Sequence, residues 1–262
     1  MDDRLSIKAG LYDLNTEFYV TDASGLFLNP TYGIGTEMAA TGDNGPSVFP
    51  NAGLAARVSF LPTETTYVQA AIIDGVPNDP NNQDSTQVEF DNKQGSLVVG
   101  EAGLRDAAWG HYGVGAWQYT AKRPDQVTGL PETSEGIYLL AEKQVYAQDS
   151  CTVDVFGRVG FTAGDVEQFD MSYAVGAVFS GFIPSRPDAQ IGIGLSGASN
   201  SDDFKTANPG FDETETQVEL TYSDKILPWL SVQPDLQYTS NPGTDPAVDD
   251  AWTAGVRFGI DF

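Results

Sequence analysis

Trp252-Thr253-Ala254-Gly255-Val256-Arg257-Phe258-Gly259-Ile260-Asp261-Phe262 puts Trp252, Ala254, Val256, Phe258, Ile260 and Phe262 at every second position, with Thr253, Gly255, Arg257, Gly259 and Asp261 between them. A period of two residues marks a strand with one apolar and one polar face. The same alternation sets Leu54, Ala56, Val58 and Phe60 against Ala55, Arg57 and Ser59, and Val98, Gly100, Ala102 and Leu104 against Glu101 and Arg105. It continues in Val153, Val155, Gly157, Val159 and Phe161 against Asp154, Phe156 and Arg158. Thr214, Thr216, Val218, Leu220 and Tyr222 oppose Glu213, Glu215, Gln217 and Glu219, and Leu230, Val232, Leu236 and Tyr238 oppose Ser231, Gln233, Asp235 and Gln237.

Working outward from these segments, about twelve strands are expected, near 5–14, 52–61, 65–75, 95–105, 109–120, 134–146, 152–163, 170–183, 189–199, 213–224, 229–239 and 251–262. Their length, about ten residues, is what a tilted strand needs to cross a bilayer and exceeds the five or six typical of soluble sheets. Strands 65–75 and 134–146 alternate poorly. The connections alternate in length: Leu61–Glu64, Asp106–Ala108, Ala147–Cys151, Pro184–Asp188 and Lys225–Pro228 are tight turns. Between them lie Asn15–Asn51, Val76–Gln94, Ala121–Thr133, Gly164–Phe169, Asn200–Asp212 and Ser240–Asp250. Short turns at one end and long loops at the other fit a transmembrane barrel.

Composition excludes several classes. No apolar run approaches the roughly 18 residues of a membrane helix. A net charge of -24, from 37 acidic against 13 basic residues, argues against nucleic acid, whose phosphates call for clustered Lys and Arg. One cysteine, Cys151, rules out a disulfide framework or multi-cysteine zinc site. Asp202-Asp203 and Asp249-Asp250 lack the ligand spacing of a calcium loop and read as solvated loop charges, so no metal or cofactor is expected. The start, Met1-Asp2-Asp3-Arg4, carries no basic region followed by an apolar stretch, so any export signal is expected upstream.

Lys8, Arg57, Arg105, Arg158 and Arg257 share the polar face with Glu101, Asp154, Glu213, Glu215, Glu219, Asp235 and Asp261. Alternation alone leaves open whether that face lines a lumen or meets solvent around a soluble core. Phe262 at the end of the last strand and Trp252, Tyr222, Tyr238 and Trp229 near strand ends match an interfacial aromatic girdle and favour the lumen.

Several stretches, in order, resemble the carbohydrate-selective porin (OprB) family. They are Gly10-Leu11-Tyr12-Asp13-Leu14-Asn15-Thr16-Glu17-Phe18, Gly25-Leu26-Phe27-Leu28-Asn29-Pro30 with Pro46 and Pro50 beyond it, and Gly53-Leu54-Ala55-Ala56-Arg57-Val58. Ala70-Ala71-Ile72-Ile73-Asp74-Gly75-Val76-Pro77, Gly113-Val114-Gly115-Ala116-Trp117, Trp229-Leu230-Ser231-Val232-Gln233-Pro234-Asp235-Leu236-Gln237-Tyr238 and Asn241-Pro242-Gly243 follow. The resemblance implies an antiparallel transmembrane β-barrel of about sixteen strands, of which this single domain, 1–262, would be the carboxyl portion, the alternative being a twelve-stranded relative. It also implies passive diffusion of sugars and other small solutes through a water-filled lumen of the outer membrane of a Gram-negative bacterium. Sugars would be the permeating solutes, and outer-membrane lipid and lipopolysaccharide the surroundings, of a monomer or homotrimer.

The resemblance further implies a lumen narrowed by an inward loop. Segment 15–51, about 37 residues and too long for an ordinary connection, is the candidate. Asp13, Asn15, Glu17, Phe18 and Phe27 would carry the constriction, since the segment's aromatics argue for packing over disorder. A pore for neutral, hydroxyl-rich solutes needs paired charges and aromatic faces. Lys8, Arg57, Arg105, Arg158 and Arg257 are the expected donors, Glu101, Asp154, Glu215, Glu219 and Asp235 the acceptors, and Trp117 a stacking platform. The competing reading is that these residues merely neutralise one another along a wide lumen.

Catalysis is not expected. An outer-membrane hydrolase would need a serine beside His111, the sole histidine, whose same-face neighbours are Trp109, Gly113 and Gly115. Ser180-Gly181 lacks the frame of a nucleophile elbow. The remaining alternative is a soluble, acidic, carbohydrate-binding β-sandwich, in which the apolar faces would pack together.

Overall fold

The computed structural model describes residues 4–78 and 95–261. Twelve strands are present: β1 (Leu5–Tyr12), β2 (Gly53–Phe60), β3 (Thr66–Asp74), β4 (Ser96–Asp106), β5 (Gly110–Pro124), β6 (Pro131–Gln148), β7 (Cys151–Thr162), β8 (Phe169–Ser180), β9 (Gln190–Asn200), β10 (Thr214–Leu227), β11 (Leu230–Ser240) and β12 (Ala251–Ile260). They form one sheet in sequence order with β1 and β12 at its edges. Every neighbouring pair is antiparallel, from Leu5↔Phe60 in β1/β2 to Leu230↔Ile260 in β11/β12. This is an up-and-down meander, the order in which hairpins follow one another, and not the Greek key of most sandwiches.

The faces separate as the period of two requires. Val58, Val98, Val114, Leu139, Phe161, Leu220, Leu236, Val256 and Phe258 are exposed on one face. Arg57, Gln69, Glu101, Tyr138, Arg158, Ser196, Glu219 and Gln233 are buried on the other. Leu220 at 49 % and Phe258 at 65 % exposure are the reverse of a sandwich core. An apolar belt turned outward calls for a hydrocarbon surround.

Strands 65–75 and 134–146 hid their alternation because both of their faces carry apolar side chains. Ala71, Ile73, Tyr138 and Leu140 point inward and join one core cluster with Leu97 and Val99 of β4. Their partners lie in the segment between β1 and β2, through Leu14, Phe18, Tyr19, Ile34 and Met38. A second cluster joins Phe27 and Tyr32 of that segment to Phe156, Ala174 and Val178. The segment winds through tight turns at Leu14–Thr16, Ala23–Leu26 and Pro30–Tyr32 and the short helix α1 (Thr36–Ala39). It receives hydrogen bonds from β2 (Arg57) and from β11 (Gln233) alike. A flat sheet would hold those strands roughly 43 Å apart at about 4.8 Å per spacing, so the sheet curls around the segment.

Several expected connections change length. β5 and β6 run on to Pro124 and Pro131 across a register shift between Gln118 and Lys122, so 121–133 contracts to 125–130. Asp125 closes that turn by accepting from Val127 N and Thr128 N. β10 extends to Leu227, leaving only 228–229 before β11. On the same side the connection 184–188 grows to 181–189, stabilised by a bridge between Ile183 and Arg186. Most of the expected loop 76–94, and Phe262, lie outside the described residues. The long loops tie together: Gln126 donates to the carbonyls of Gly164 and Glu167, and Asn200 to Asp212 O and Thr244 Oγ1.

Candidate functional site: the inward face and its loop

An irregular segment carries backbone N–H and C=O groups without ladder partners, and burying them demands partners from elsewhere. The inward strand residues supply these. Glu101 accepts four hydrogen bonds, from Tyr19 N (2.8 Å), Tyr67 Oη (2.9 Å), Gln69 Nε2 (3.1 Å) and Tyr138 Oη (2.6 Å). Arg158 donates to Tyr19 O (3.1 Å), Gly33 O (2.5 Å) and Thr31 O (3.1 Å). Glu219 accepts from the successive amides of Leu28 (2.6 Å) and Asn29 (3.0 Å). Arg57 forks onto Glu17 at 2.5 and 2.7 Å, and Lys8 reaches the same carboxylate at 2.6 Å. Gln233 donates to Leu26 O at 2.7 Å.

Glu37 of α1 is enclosed by Tyr19, Ser172 and Gly160. Burial pushes its carboxyl up, the hydrogen bonds from Ser172 and Tyr19 acting the other way. For Glu17, burial alone would raise the carboxyl. The hydrogen bonds from Arg57, Lys8 and Tyr12 together outweigh it and hold the group down at about 2.

These placements correct several expectations. Arg57, Arg158 and Glu219 are buried and engaged with the loop, so they do not face water as solute contacts; Glu101 is buried and engaged with the loop as well, but borders one open space. Trp117 is 3 % exposed, packed in the first core cluster edge-on to Tyr119, and offers no free face for stacking. Phe18 and Phe27 are buried in the two clusters. Asn15 braces the loop internally, donating to Phe18 O and Gly33 O, and Asp13 caps the first turn through Asn15 N. Glu215 accepts from Gly243 N in an outer loop. Asp235 is buried and accepts from Gln237. The charges sit on the expected face, but half of the expected lumen charges bond the protein's own backbone.

The residues left facing open space lie near the short-turn ends of the strands. One cavity of about 370 Å³ is lined by Glu17, Asp22, Glu64, Thr66, Glu101 and Arg105 among others. A second, of about 650 Å³, is lined by Asp22, Glu142, Asp154, Gln190, Ser223 and Arg257 among others. A third, of about 250 Å³, includes Asp22, Arg105, His111, Glu142 and Asp154. Of the expected set, Glu17, Glu101, Arg105, Asp154 and Arg257 line these spaces. Asp22, Glu142 and Gln190 went unrecognised: Asp22 stands in a segment without periodicity, and Glu142 on the strand whose alternation was obscured. His111 Nε2 lies 2.9 Å from Tyr67 Oη and Nδ1 3.4 Å from Arg105. Among the described residues no serine hydrogen-bonds to it.

Comparison with known proteins bears on this geometry. The model for "Carbohydrate-selective porin, OprB family" matches residues 1–262. Porin B of Pseudomonas aeruginosa is 25% identical over 243 residues, covering 78% of this chain and 53% of its own length. A putative porin, QuiX, of Acinetobacter baylyi is 23% identical over 212 residues, covering 70% of this chain and 48% of its own. The chain thus spans about half the length of the curated relatives it matches. The high-pH structure of Pseudomonas putida OprB superposes with a TM-score of 0.85 at 24% identity, over 100% of this chain and 70% of that one. The low-pH structure of that protein gives 0.62 at 20% identity, over 100% and 64%. These likenesses show the fold.

Proposed function

We infer from the chain's membership of the carbohydrate-selective porin (OprB) family that the protein containing it is an outer-membrane channel for passive diffusion of carbohydrates and other small polar solutes. The observation that carries this reading is the inverted sheet. Apolar side chains face outward, and the inward face holds charged and amide groups around a packed segment. In the outer membrane of a Gram-negative bacterium the outward belt meets lipid and the inward face encloses water.

The segment 15–51 then constricts the lumen. Its anchoring by Glu101, Arg158, Glu219 and Gln233 supports a fixed constriction rather than a swinging lid. Fixed hydrogen-bonding groups that are plentiful but not tightly closed suit a conduit, which must let solutes leave as readily as they enter. Nothing in this mechanism calls for a cofactor, and His111, held by Tyr67, has a structural role in it.

The test is reconstitution of the full-length protein in planar bilayers. Ion conductance reduced by added sugar is expected. A correctly folded protein that neither conducts nor passes sugars in liposome swelling would overturn the reading.

A further inference from the structure

Glu219 and Asp235 stand diagonally across neighbouring strands. The register sets Glu219 of β10 opposite Gln237 and Asp235 of β11 opposite Thr221, so both carboxyls fall on the inward face, two residues out of step. Glu219 is 0 % exposed and Asp235 7 %, and their carboxyls lie within hydrogen-bonding reach of each other. Neither lines any of the three open spaces. Among the described residues neither makes an ion pair. Both oxygens of Glu219 already accept an amide, from Leu28 and from Asn29. Asp235 accepts from Gln237 through Oδ1 at 2.7 Å, but its buried Oδ2 has no donor.

The surroundings supply that oxygen with neither a donor nor a cation. Tyr32 of the segment comes near, its hydroxyl over Gly194, the residue opposite Glu219, yet it makes no hydrogen bond to either carboxyl. Arg257 of β12 donates to Gln233 at 2.5 Å, and Arg158 of β7 to the carbonyls of Tyr19, Thr31 and Gly33. β10 adds Glu215, which accepts from Gly243 N, and β9 carries no titratable side chain. Two ionised carboxyls held together out of water repel, and such a pair keeps one proton instead. A proton on Asp235 Oδ2 completes that oxygen and is donated to Glu219, a charge-assisted bond of the strong kind. Glu219 then stays ionised, the form that best accepts two backbone amides.

We propose that Asp235 is a positioning residue which, through one proton shared with Glu219, latches residues 28–29 of the inward segment to the wall at β10 and β11, and that this latch loosens as pH rises. Closing the latch takes up a proton that the parted, hydrated carboxyls release. The opening equilibrium therefore rises about tenfold per pH unit from the ordinary carboxylate range upward, and levels off once the closed pair itself ionises. The latch acts on the segment alone and is independent of which solutes the channel passes.

The test is hydrogen exchange of the full-length protein in detergent micelles, followed at the amides of Leu28 and Asn29 across neutral pH and corrected for intrinsic exchange. Asp235→Asn puts a permanent N–H donor where the proton sits, so its opening equilibrium should climb with pH less steeply than that of the wild type by one proton, about tenfold per pH unit. Glu37 contributes equally to both proteins and cancels in the comparison. Glu219→Gln removes the same proton from the other partner and should lower the slope equally, from a higher baseline because its amide nitrogen cannot accept from the segment. Asp249→Asn, in an outer loop, should keep the wild-type slope. Infrared difference spectra at neutral pH should show one protonated carboxyl fewer in Asp235→Asn than in the wild type. Equal slopes in the wild type and both latch variants, or an unchanged number of protonated carboxyls, would overturn the proposal. Opening of these amides on addition of EDTA would overturn it too, because a metal ion would then stand in place of the proton.

Discussion

Gly160 shows how closely the inward segment is fitted to the wall. A methyl group built there would collide with the Glu37 carboxylate and crowd Tyr19 Oη. At Gly115 it would run into the ring of Tyr138, which itself stacks on Tyr19 at 3.9 Å. Gly160→Ala is therefore expected to destabilise the packed segment by about 1–3 kcal/mol, the usual cost of overpacking. Thermal unfolding and protease cleavage between residues 20 and 35 would report it. Two carboxyls on the segment respond to pH in opposite senses. Glu17 is held down at about 2 from an ordinary 4.5, so its contribution to stability is complete above 4.5 and is lost as pH falls toward 2. Glu37 is pushed up, so its contribution is complete at low pH and is lost as pH rises through its folded value. Glu17→Gln should flatten the acid limb of the unfolding midpoint against pH, whereas Glu37→Gln should flatten the alkaline limb. The glycine contacts were not legible in the sequence, because each joins β5 or β7 to side chains distant along the chain.

Among the elements, β10 illustrates both faces of the sheet. Leu220 faces outward and Glu219 inward, one residue apart. Leu220→Arg places a charge in the apolar belt and is expected to cost about 2–4 kcal/mol of folding free energy in vesicles. A cost no greater than that of an outer-loop substitution would remove the case for lipid contact there. Glu219→Ala strips the partner from two successive amides of the segment, Leu28 and Asn29. Each unsatisfied buried amide costs about 1–3 kcal/mol, so the turn Ala23–Leu26 should detach from β10 and β11 and channel conductance should rise. Strands such as β12 and β2 could be read from alternation alone because only one of their faces is apolar. β3 and β6 could not, since Ile73 and Tyr138 meet the segment on the inner face while Ile72 and Ile137 are exposed on the outer one.

For the molecule as a whole, twelve strands in sequence order curl around a segment that touches walls from β2 to β11. Detergent should be needed to keep the full-length protein monodisperse, checked by size-exclusion chromatography. A stable monomer in plain buffer would contradict the outward apolar belt. The sequence by itself determined the strand count, the antiparallel alternation, which side chains share a face, and the family, because a two-residue period and the order of motifs are properties of the linear chain. Only the tertiary structure decided what the inward charges do. Whether Arg158 or Arg105 meets a loop carbonyl or open water depends on where an aperiodic segment settles. That is set by its fit against seven or more strands at once, and no local pattern encodes it.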